Sequence, residues 1–225
     1  MTSGSAIYII VDRGKANRLL RRAQELGARR GTVFLGEGTL PSRWQDFFGI
    51  NQTRKEVLLL AVPGGQIEGV YSMLQTEFHL HKRYKGIAFS VPYMQYEPDD
   101  QQARPPGQEA WRAPDSPYVC LMAVLERGLG GECMKVARAA GARGGTIIHA
   151  HGAGVPQDYY FPLNIEPQKD IVMIVTPRAS APLIRQAIYG HMQLERKGAG
   201  IVFGLPVTRT LGLYEERGQG RAVAP

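Results

Sequence analysis

The chain contains the same stretch of sequence twice, at a fixed spacing of 114 residues. Residues 27–33, Gly-Ala-Arg-Arg-Gly-Thr-Val, return as residues 141–147, Gly-Ala-Arg-Gly-Gly-Thr-Ile. Without a gap, the 88 positions 6–93 stay in register with positions 120–207, and 17 of them are identical. Because so constant a spacing requires two copies of one folded unit, the sequence predicts two domains of the same fold.

Each copy shows the same order of apolar runs and amphipathic stretches. In the first copy, short apolar runs predict strands at 6–11, 32–35, 55–62 and 86–93, and apolar stripes predict helices within 14–26 and 67–78. This order, strand-helix-strand-strand-helix-strand, is that of the ferredoxin-like (βαββαβ) unit. The sequence therefore predicts an α+β protein with two tandem ferredoxin-like domains, each a four-stranded antiparallel sheet with two helices on one face.

The composition between and after the copies sets the predicted domain boundaries. Residues 95–117 contain five prolines and an Asp-Asp-Gln-Gln run, which favours a linker, and the Gly- and charge-rich residues 214–225 indicate a loose tail. The predicted domains are therefore residues 1–94 and residues 118–213.

Charge, hydropathy and cysteine usage restrict the classes of function. The net charge of +7 favours an anionic ligand, but the basic residues are scattered, so we do not expect nucleic acid binding. No apolar run approaches the roughly 20 residues that a bilayer requires, and the start of the chain lacks a secretory signal, which predicts a cytoplasmic protein without membrane insertion. Cys120 and Cys133 occur only in the second copy, so we expect buried thiols rather than a disulfide.

Several motifs resemble those of the PII signal-transduction family, the nitrogen-regulatory P-II proteins. They are the Gly-Ala-Arg-Gly-Gly-Thr run of residues 141–146, the long loop at 38–54, the lysine that enters the third strand, and the Gly-Ala-Gly-Ile-Val-Phe-Gly-Leu-Pro-Val segment of residues 198–207. The resemblance covers both copies. It implies a non-enzymatic regulator that assembles as a homotrimer, here with six domains, and that docks on a partner protein through the long loop, called the T-loop.

The resemblance also implies clefts that bind adenine nucleotides between a T-loop base and a basic, Gly-rich B-loop. The family's glutamine after the T-loop glycines is Leu40 or Gly154 here, and its phosphate-binding lysine is Ile87 or Ile201. We therefore expect the ligand to be a small anionic metabolite that is not necessarily the family's own. ATP, ADP and AMP are candidates. The residues assigned to this ligand are Thr32, Gly36, Gly38, Lys55, Lys82, Arg83, Gly86, Arg143, Thr146, Gly152, Lys169, Arg196, Lys197, Gly198 and Gly200.

The two sites are expected to be unequal. The second copy keeps the Gly198-x-Gly200 turn beside two basic residues, whereas the first copy has Tyr84 in place of the first glycine. This difference predicts tighter anion binding where second-copy residues line the cleft. The T-loops have also diverged, and their aromatic residues are the predicted partner contacts: Trp44, Phe47, Phe48, Tyr159 and Tyr160.

Two alternative functions remain open from the sequence. His149 and His151 have the spacing of two ligands on one face of a strand, which is the basis for a divalent-metal-binding trimer similar to the CutA family. The first copy has Leu35 and Glu37 at these positions, so a structural role for the histidines is favoured and no metal ligand is assigned. The other alternative is a structural assembly protein without a ligand. No catalytic set is present in both copies, so no catalytic residue is predicted.

Overall fold

The computed structural model of the chain describes residues 2–28, 31–39, 53–95, 115–151 and 168–213. In the first half, four strands alternate with two helices: β1 Thr2–Asp12, α1 Ala16–Glu25, β2 Gly31–Gly38, β3 Thr53–Pro63, a short 3-10 turn Gly64–Gln66, α2 Ile67–Thr76 and β4 Ile87–Gln95. The second half repeats this order and adds one short strand: β5 Tyr118–Glu126, α3 Gly130–Ala139, β6 Thr146–His151, β7 Gln168–Pro177, α4 Ala181–His191, β8 Gly200–Val207 and β9 Arg209–Leu211.

All strands belong to one antiparallel sheet in the order β8-β5-β7-β6-β2-β3-β1-β4-β9. Within each half the strands take the same relative positions, and the halves meet where β2 pairs with β6, with Gly36 opposite Ile148 and Gly38 opposite Thr146. The predicted α+β class and antiparallel pairing are confirmed. A single sheet replaces the two separate sheets that the sequence predicted, because the edges of β2 and β6 satisfy each other's backbone groups.

The sheet closes on itself at its two ends. β9 follows β8 after the single residue Thr208, yet it pairs with β4 at the opposite end of the strand order. The Thr208 backbone N–H donates to the Ser90 carbonyl oxygen at 3.0 Å, which fixes this crossing. The sheet therefore wraps around an inner face, away from the helices, where both halves contribute to one central cluster: Ile10, Val57, Phe89, Val91, Cys120, Ile148, Met173 and Val207.

The helices cover the outer face of the sheet and form a separate apolar core in each half. In α1 the buried residues Ala16, Leu19 and Ala23 recur at helical spacing and pack on the first-half strands. Gly27 ends this helix with a φ of +95°, a conformation that glycine adopts without the steric penalty of a side chain. Among the described helices, none is long and apolar enough to cross a bilayer.

Left-handed backbone positions recur at the 114-residue spacing of the sequence. They are the pairs Gly14/Gly128, Gly27/Gly141, His79/Gln193, Tyr84/Gly198 and Gly86/Gly200. The turn before β4 therefore keeps the backbone conformation of the turn before β8, although Tyr84 has replaced the glycine there. Sequence divergence in this turn has changed the side chain and left the path of the chain intact.

Candidate functional site

The predicted ligand residues gather at two places, which we call the loop ends. At the first-half loop end, β1 finishes where β3 and β4 begin, since Asp12 lies opposite Lys55 and Ile10 lies opposite Ile87. At the second-half loop end, Glu126 lies opposite Lys169 and Leu125 lies opposite Gly200. Because β2 and β6 run antiparallel, the two loop ends lie at opposite ends of the closed sheet.

At the first-half loop end, the lysine assigned to the ligand already has an ionic partner. The Lys55 Nζ lies 2.6 Å from one carboxylate oxygen of Asp12, and the Lys15 Nζ lies 2.6 Å from the other. Partial burial acts to raise the pKa of Asp12, but the hydrogen bonds and charges of the two lysines outweigh it and lower the pKa overall. Asp12 thus occupies the position that an anionic ligand of Lys55 would need.

At the second-half loop end, the equivalent lysine lacks such a partner among the described residues. Lys169 is half-buried and faces the inner side of the sheet, whereas Glu126 across from it is exposed and makes no ion pair with it in the described part of the chain. The turn before β8 adds Arg196 and Lys197, both exposed. The second-half loop end therefore offers cationic groups that a ligand could bind without displacing an internal carboxylate.

Apolar side chains on the same inner face as Lys169 are open to solvent. Ile201 is 58% exposed and Phe203 is 39% exposed, although the equivalent Phe89 of the first half is only 1% exposed. Ile171 and Leu59, which also face inwards, are half-buried at the same end of the sheet. We call the opening formed by these side chains, Lys169 and Thr32 the inner mouth.

The predicted threonines lie at the loop end of the other half. Thr32 is the second residue of β2, so it lies exposed beside the second-half loop end and not with Lys55. Thr146 is buried and pairs across strands with Gly38, close to the first-half loop end. Arg143 precedes β6 and is exposed. The structure thus places Thr32 at the loop end of Lys169 and away from Lys55 of its own half.

Backbone packing accounts for several glycines assigned to the ligand. A Cβ on Gly86 would lie 2.5 Å from the Ile10 carbonyl oxygen, and one on Gly200 would lie 2.4 Å from that of Val124. A Cβ on Gly36 would lie 2.6 Å from the carbonyl oxygen of Ile147, across the seam between the halves. These glycines let strands approach closely, whereas Gly198, with a φ of +90° and open space around it, is free to face a ligand.

The basic turn of the first half is exposed. Lys82 and Arg83 lie in the turn before β4, and the Arg83 guanidinium stacks 5.0 Å from the centre of the Tyr84 ring. The remaining assigned residues, Gly152 of the ligand set and Trp44, Phe47, Phe48, Tyr159 and Tyr160 of the partner set, lie outside the described residues.

A pair of equivalent carboxylates holds the helix N-termini, and the sequence analysis missed both. Glu56 accepts a hydrogen bond from the Ala16 N–H at 2.8 Å, at the start of α1. Asp170 accepts from the N–H groups of Gly128 at 2.9 Å and Gly130 at 3.1 Å, at the start of α3. The acid that follows the lysine in both copies was the available signal, because an acceptor is needed where helix N–H groups lack partners.

Asp170 also fixes His149. The imidazole Nδ1 lies 2.8 Å from the second carboxylate oxygen of Asp170, and its Nε2 lies 3.7 Å from Glu37 of the first half. With one ring nitrogen on Asp170, the histidine is oriented by the protein, in agreement with the structural role favoured above. In the part of the chain that the structure describes, no group of three or more His, Cys, Asp or Glu side chains could hold a metal ion.

Both cysteines are free thiols and buried, as predicted. Burial raises the pKa of the Cys120 thiol to about 12 and that of Cys133 to about 12 as well. Neither thiol is therefore a nucleophile at neutral pH, because the thiolate is the reactive form.

Neither a protein-family model nor a curated protein sequence matches the chain. Among solved structures it is similar to an anthrone oxidase-like protein at 8% identity, with a TM-score of 0.25 and coverage of 99% of this chain and 97% of that one. It is also similar to a heme-binding protein from Thermus thermophilus at 12% identity, with a TM-score of 0.25 and coverage of 92% of both chains. At such values, the activity or ligand of neither protein carries over to this chain.

Proposed function

We propose that the protein is a tandem duplication of a ferredoxin-like unit that binds a small anionic ligand with an apolar part at the inner mouth. The duplication is supported by the common strand order of the two halves and by the left-handed positions that recur 114 residues apart. The equivalent carboxylates Glu56 and Asp170, which hold equivalent helix starts, support it as well.

The observation that carries the ligand proposal is the half-buried Lys169 without an ionic partner among the described residues. A charged group beside apolar surface gains most from a partner of opposite charge, because water screens the pair less there. Ile201 and Phe203 are exposed on the same inner face, two strands away on β8, and would be covered by the apolar part of a ligand that extends from Lys169. Arg196 and Lys197 supply further positive charge at the same end.

An adenine nucleotide fits this description, since it joins an apolar aromatic base to phosphate groups. The proposal thus keeps the PII-like role as a regulator without enzymatic activity, which senses a small anionic metabolite and acts on a partner. Cytoplasmic location, partner docking through the long loops and the homotrimer belong to the same proposal. A trimer is not needed to cover the sheet, because the inner faces of the two halves already cover each other.

Calorimetric titration of the purified protein with ADP, ATP, AMP and 2-oxoglutarate tests the ligand proposal. We expect at least one nucleotide to bind, and we expect the Lys169→Met variant to weaken that binding about tenfold or more, the effect of losing a hydrogen bond to a charged group. Lys55→Met is the matched control, because Asp12 already occupies Lys55. Equal losses in the two variants, or no binding by any of the four compounds, would contradict the proposal.

A further inference from the structure

The two halves of the sheet meet at two places, which are fixed in different ways. At the first, β2 pairs with β6, and the buried Thr39 hydroxyl donates to the Gly145 carbonyl oxygen at 2.8 Å. At the second, which we call the closure, β4 contacts β8, and the chain crosses at Thr208 to form β9 on β4. Since β9 has three residues, its attachment depends on what its side chains contact.

The side-chain contacts of β9 lie near the outer surface. The Arg209 guanidinium lies 4.0 Å from the centre of the Tyr71 ring and contacts the exposed carboxylate of Glu68. Leu211 lies opposite Ala88 and packs, half-buried, against the first-half core. Cation–π contacts and ion pairs that water reaches stabilise a structure less than buried contacts do. The side chains of β9 therefore hold it in place only weakly.

The backbone, by contrast, gives β9 a defined docking position. Before β9, the Thr208 N–H donates to the Ser90 carbonyl oxygen at 3.0 Å. After it, Gly212 has a φ of +74°, and a Cβ on this residue would overlap the carbonyl oxygens of Leu80 and Gly86. A short segment with a defined position and weak side-chain contacts is expected to dock and to leave as a unit, since stability is not uniform across a fold.

Release of β9 would uncover the inner face of the sheet. The central cluster joins Phe89 of β4 to Val207 of β8 and Cys120 of β5. Because β9 follows β8 after one residue, β8 loses its fixed position beside β4 when β9 leaves. The buried residues of each helix core, however, all belong to one half of the chain. The closure can therefore open while both helix cores stay packed.

We propose that β9 is a latch, which opens and closes the sheet between β4 and β8 and so controls access to the central cluster. The exposed Phe203 lies on the same face of β8 as Val207, so the opening extends from the inner mouth towards that cluster. The open state admits an apolar group to the inner face. This inference goes beyond the proposed ligand, and its test uses no ligand, so either can fail without the other.

The two buried cysteines provide the test. Cys120 lies in the central cluster, whereas Cys133 lies in the second-half helix core. Pulse labelling of the native protein with iodoacetamide, followed by peptide mass spectrometry, measures how often each thiol is exposed, with the urea-unfolded protein as the reference. We expect Cys120 to be labelled about tenfold faster than Cys133, or more. Equal rates would overturn the proposal, because global unfolding alone would then expose both thiols.

Removal of the arginine contact connects the labelling to β9. Arg209→Ala should speed the labelling of Cys120 about fivefold and leave that of Cys133 unchanged, because only the contacts of the latch are lost. Arg178→Ala is the matched control, since Arg178 is also exposed and lies 3.5 Å from a carboxylate oxygen of Asp115. It should change neither rate. Equal acceleration at both cysteines in Arg209→Ala would overturn the proposal, because it would indicate a general loss of stability.

A disulfide that locks β9 on β4 gives the opposite change. Ala88 and Leu211 are opposite each other, and opposite residues of antiparallel strands lie within the distance that a disulfide spans. In the oxidised Ala88→Cys, Leu211→Cys variant, the labelling of Cys120 should slow to the rate of Cys133. The same variant in its reduced form is the control and should keep the faster rate at Cys120. Labelling of Cys120 that stays fast in the locked protein would overturn the proposal, since the inner face would then be reached by another route.

Discussion

The two halves place the same residue types at the same positions of the inner face, yet only one half closes over them. Phe89 and Phe203 are equivalent, as are Ile87 and Ile201, and the first-half member of each pair is the more buried. In the first half, Phe89 stacks on Tyr8 with ring centres 5.0 Å apart. The comparison shows that a repeated sequence does not repeat its environment when the two copies pack against different neighbours.

The charged residues at the loop ends also differ: they form an ion pair in the first half but not among the described residues of the second half. The first half pairs Asp12 with Lys55, while in the second half the longer Glu126 stays exposed and leaves Lys169 without a partner among the described residues. Both halves keep one acid and one lysine at these positions. The closed half uses its lysine within the fold, and the open half leaves it available, which is why we place the ligand in the second half.

Truncation of the equivalent phenylalanines should show the largest difference between the halves. Phe89→Ala should lower the free energy of unfolding by about 4 kcal/mol, because a fully buried ring leaves a cavity. Phe203→Ala should lower it by only about 1 kcal/mol, since the exposed part of its ring gains little from folding. Urea unfolding of both variants measures the difference. Similar losses would mean that the inner mouth is closed in solution.

The elements that the sequence predicted are those with a regular period. The strands and helices of both halves were predicted, because apolar residues recur in them at the spacing of a buried face. β9 was missed, since three residues are too few to show a period, and the closure of the sheet was missed with it. The pairing of β2 with β6 depends on backbone groups alone, and its only sequence sign is Gly36, which permits the close approach of the Ile147 carbonyl.

For the candidate functional site, the sequence repeat predicted the positions of some residues and not those of others. It drew attention to Lys55 and Lys169, which do lie at equivalent loop ends. It gave no sign that Thr32 of the first half lies nearer to the second-half loop end. The partner of Lys55 could not be predicted, because the same acid-lysine pair forms an ion pair in one half and does not in the other.

The second-largest difference in stability is expected between the two carboxylates, Asp170 and Glu56, that accept hydrogen bonds from the helix N-termini. Asp170→Ala should lower the free energy of unfolding by about 3 kcal/mol, because it leaves two backbone N–H groups and His149 without their acceptor. Glu56→Ala should cost about 1 kcal/mol, since only the Ala16 N–H loses its partner. Urea unfolding measures both. Asp170→Asn is the control of matched size, and it should recover part of the loss because the amide keeps one acceptor oxygen.

Substitution of the glycines before β4 and β8 should lower the stability equally. Equal losses would indicate a role in backbone packing, which both halves share, and not in ligand binding, which is proposed for the second half alone. Gly86→Ala and Gly200→Ala should each lower the free energy of unfolding by about 2 kcal/mol, because the added Cβ meets a backbone carbonyl in a left-handed conformation. Gly198→Ala has open space around it and should cost about 1 kcal/mol. Thermal unfolding ranks the three variants. A Gly200→Ala variant as stable as the wild type would argue that this turn rearranges in solution.

The smallest expected difference concerns the ion pair of the closed half. Asp12→Asn should lower the free energy of unfolding by about 0.5 kcal/mol at neutral pH, whereas Glu126→Gln should leave it unchanged, because exposed ion pairs contribute little. The pKa of Asp12 lies below its ordinary value of 3.8 in the folded state, so its contribution is present above 3.8 and is lost as the pH falls through the lower folded value. Urea unfolding at neutral pH and at about pH 2 should show the Asp12→Asn difference only at neutral pH. A difference that persists in acid would show that Asp12 stabilises the turn through its shape and hydrogen bonds, and not through its charge.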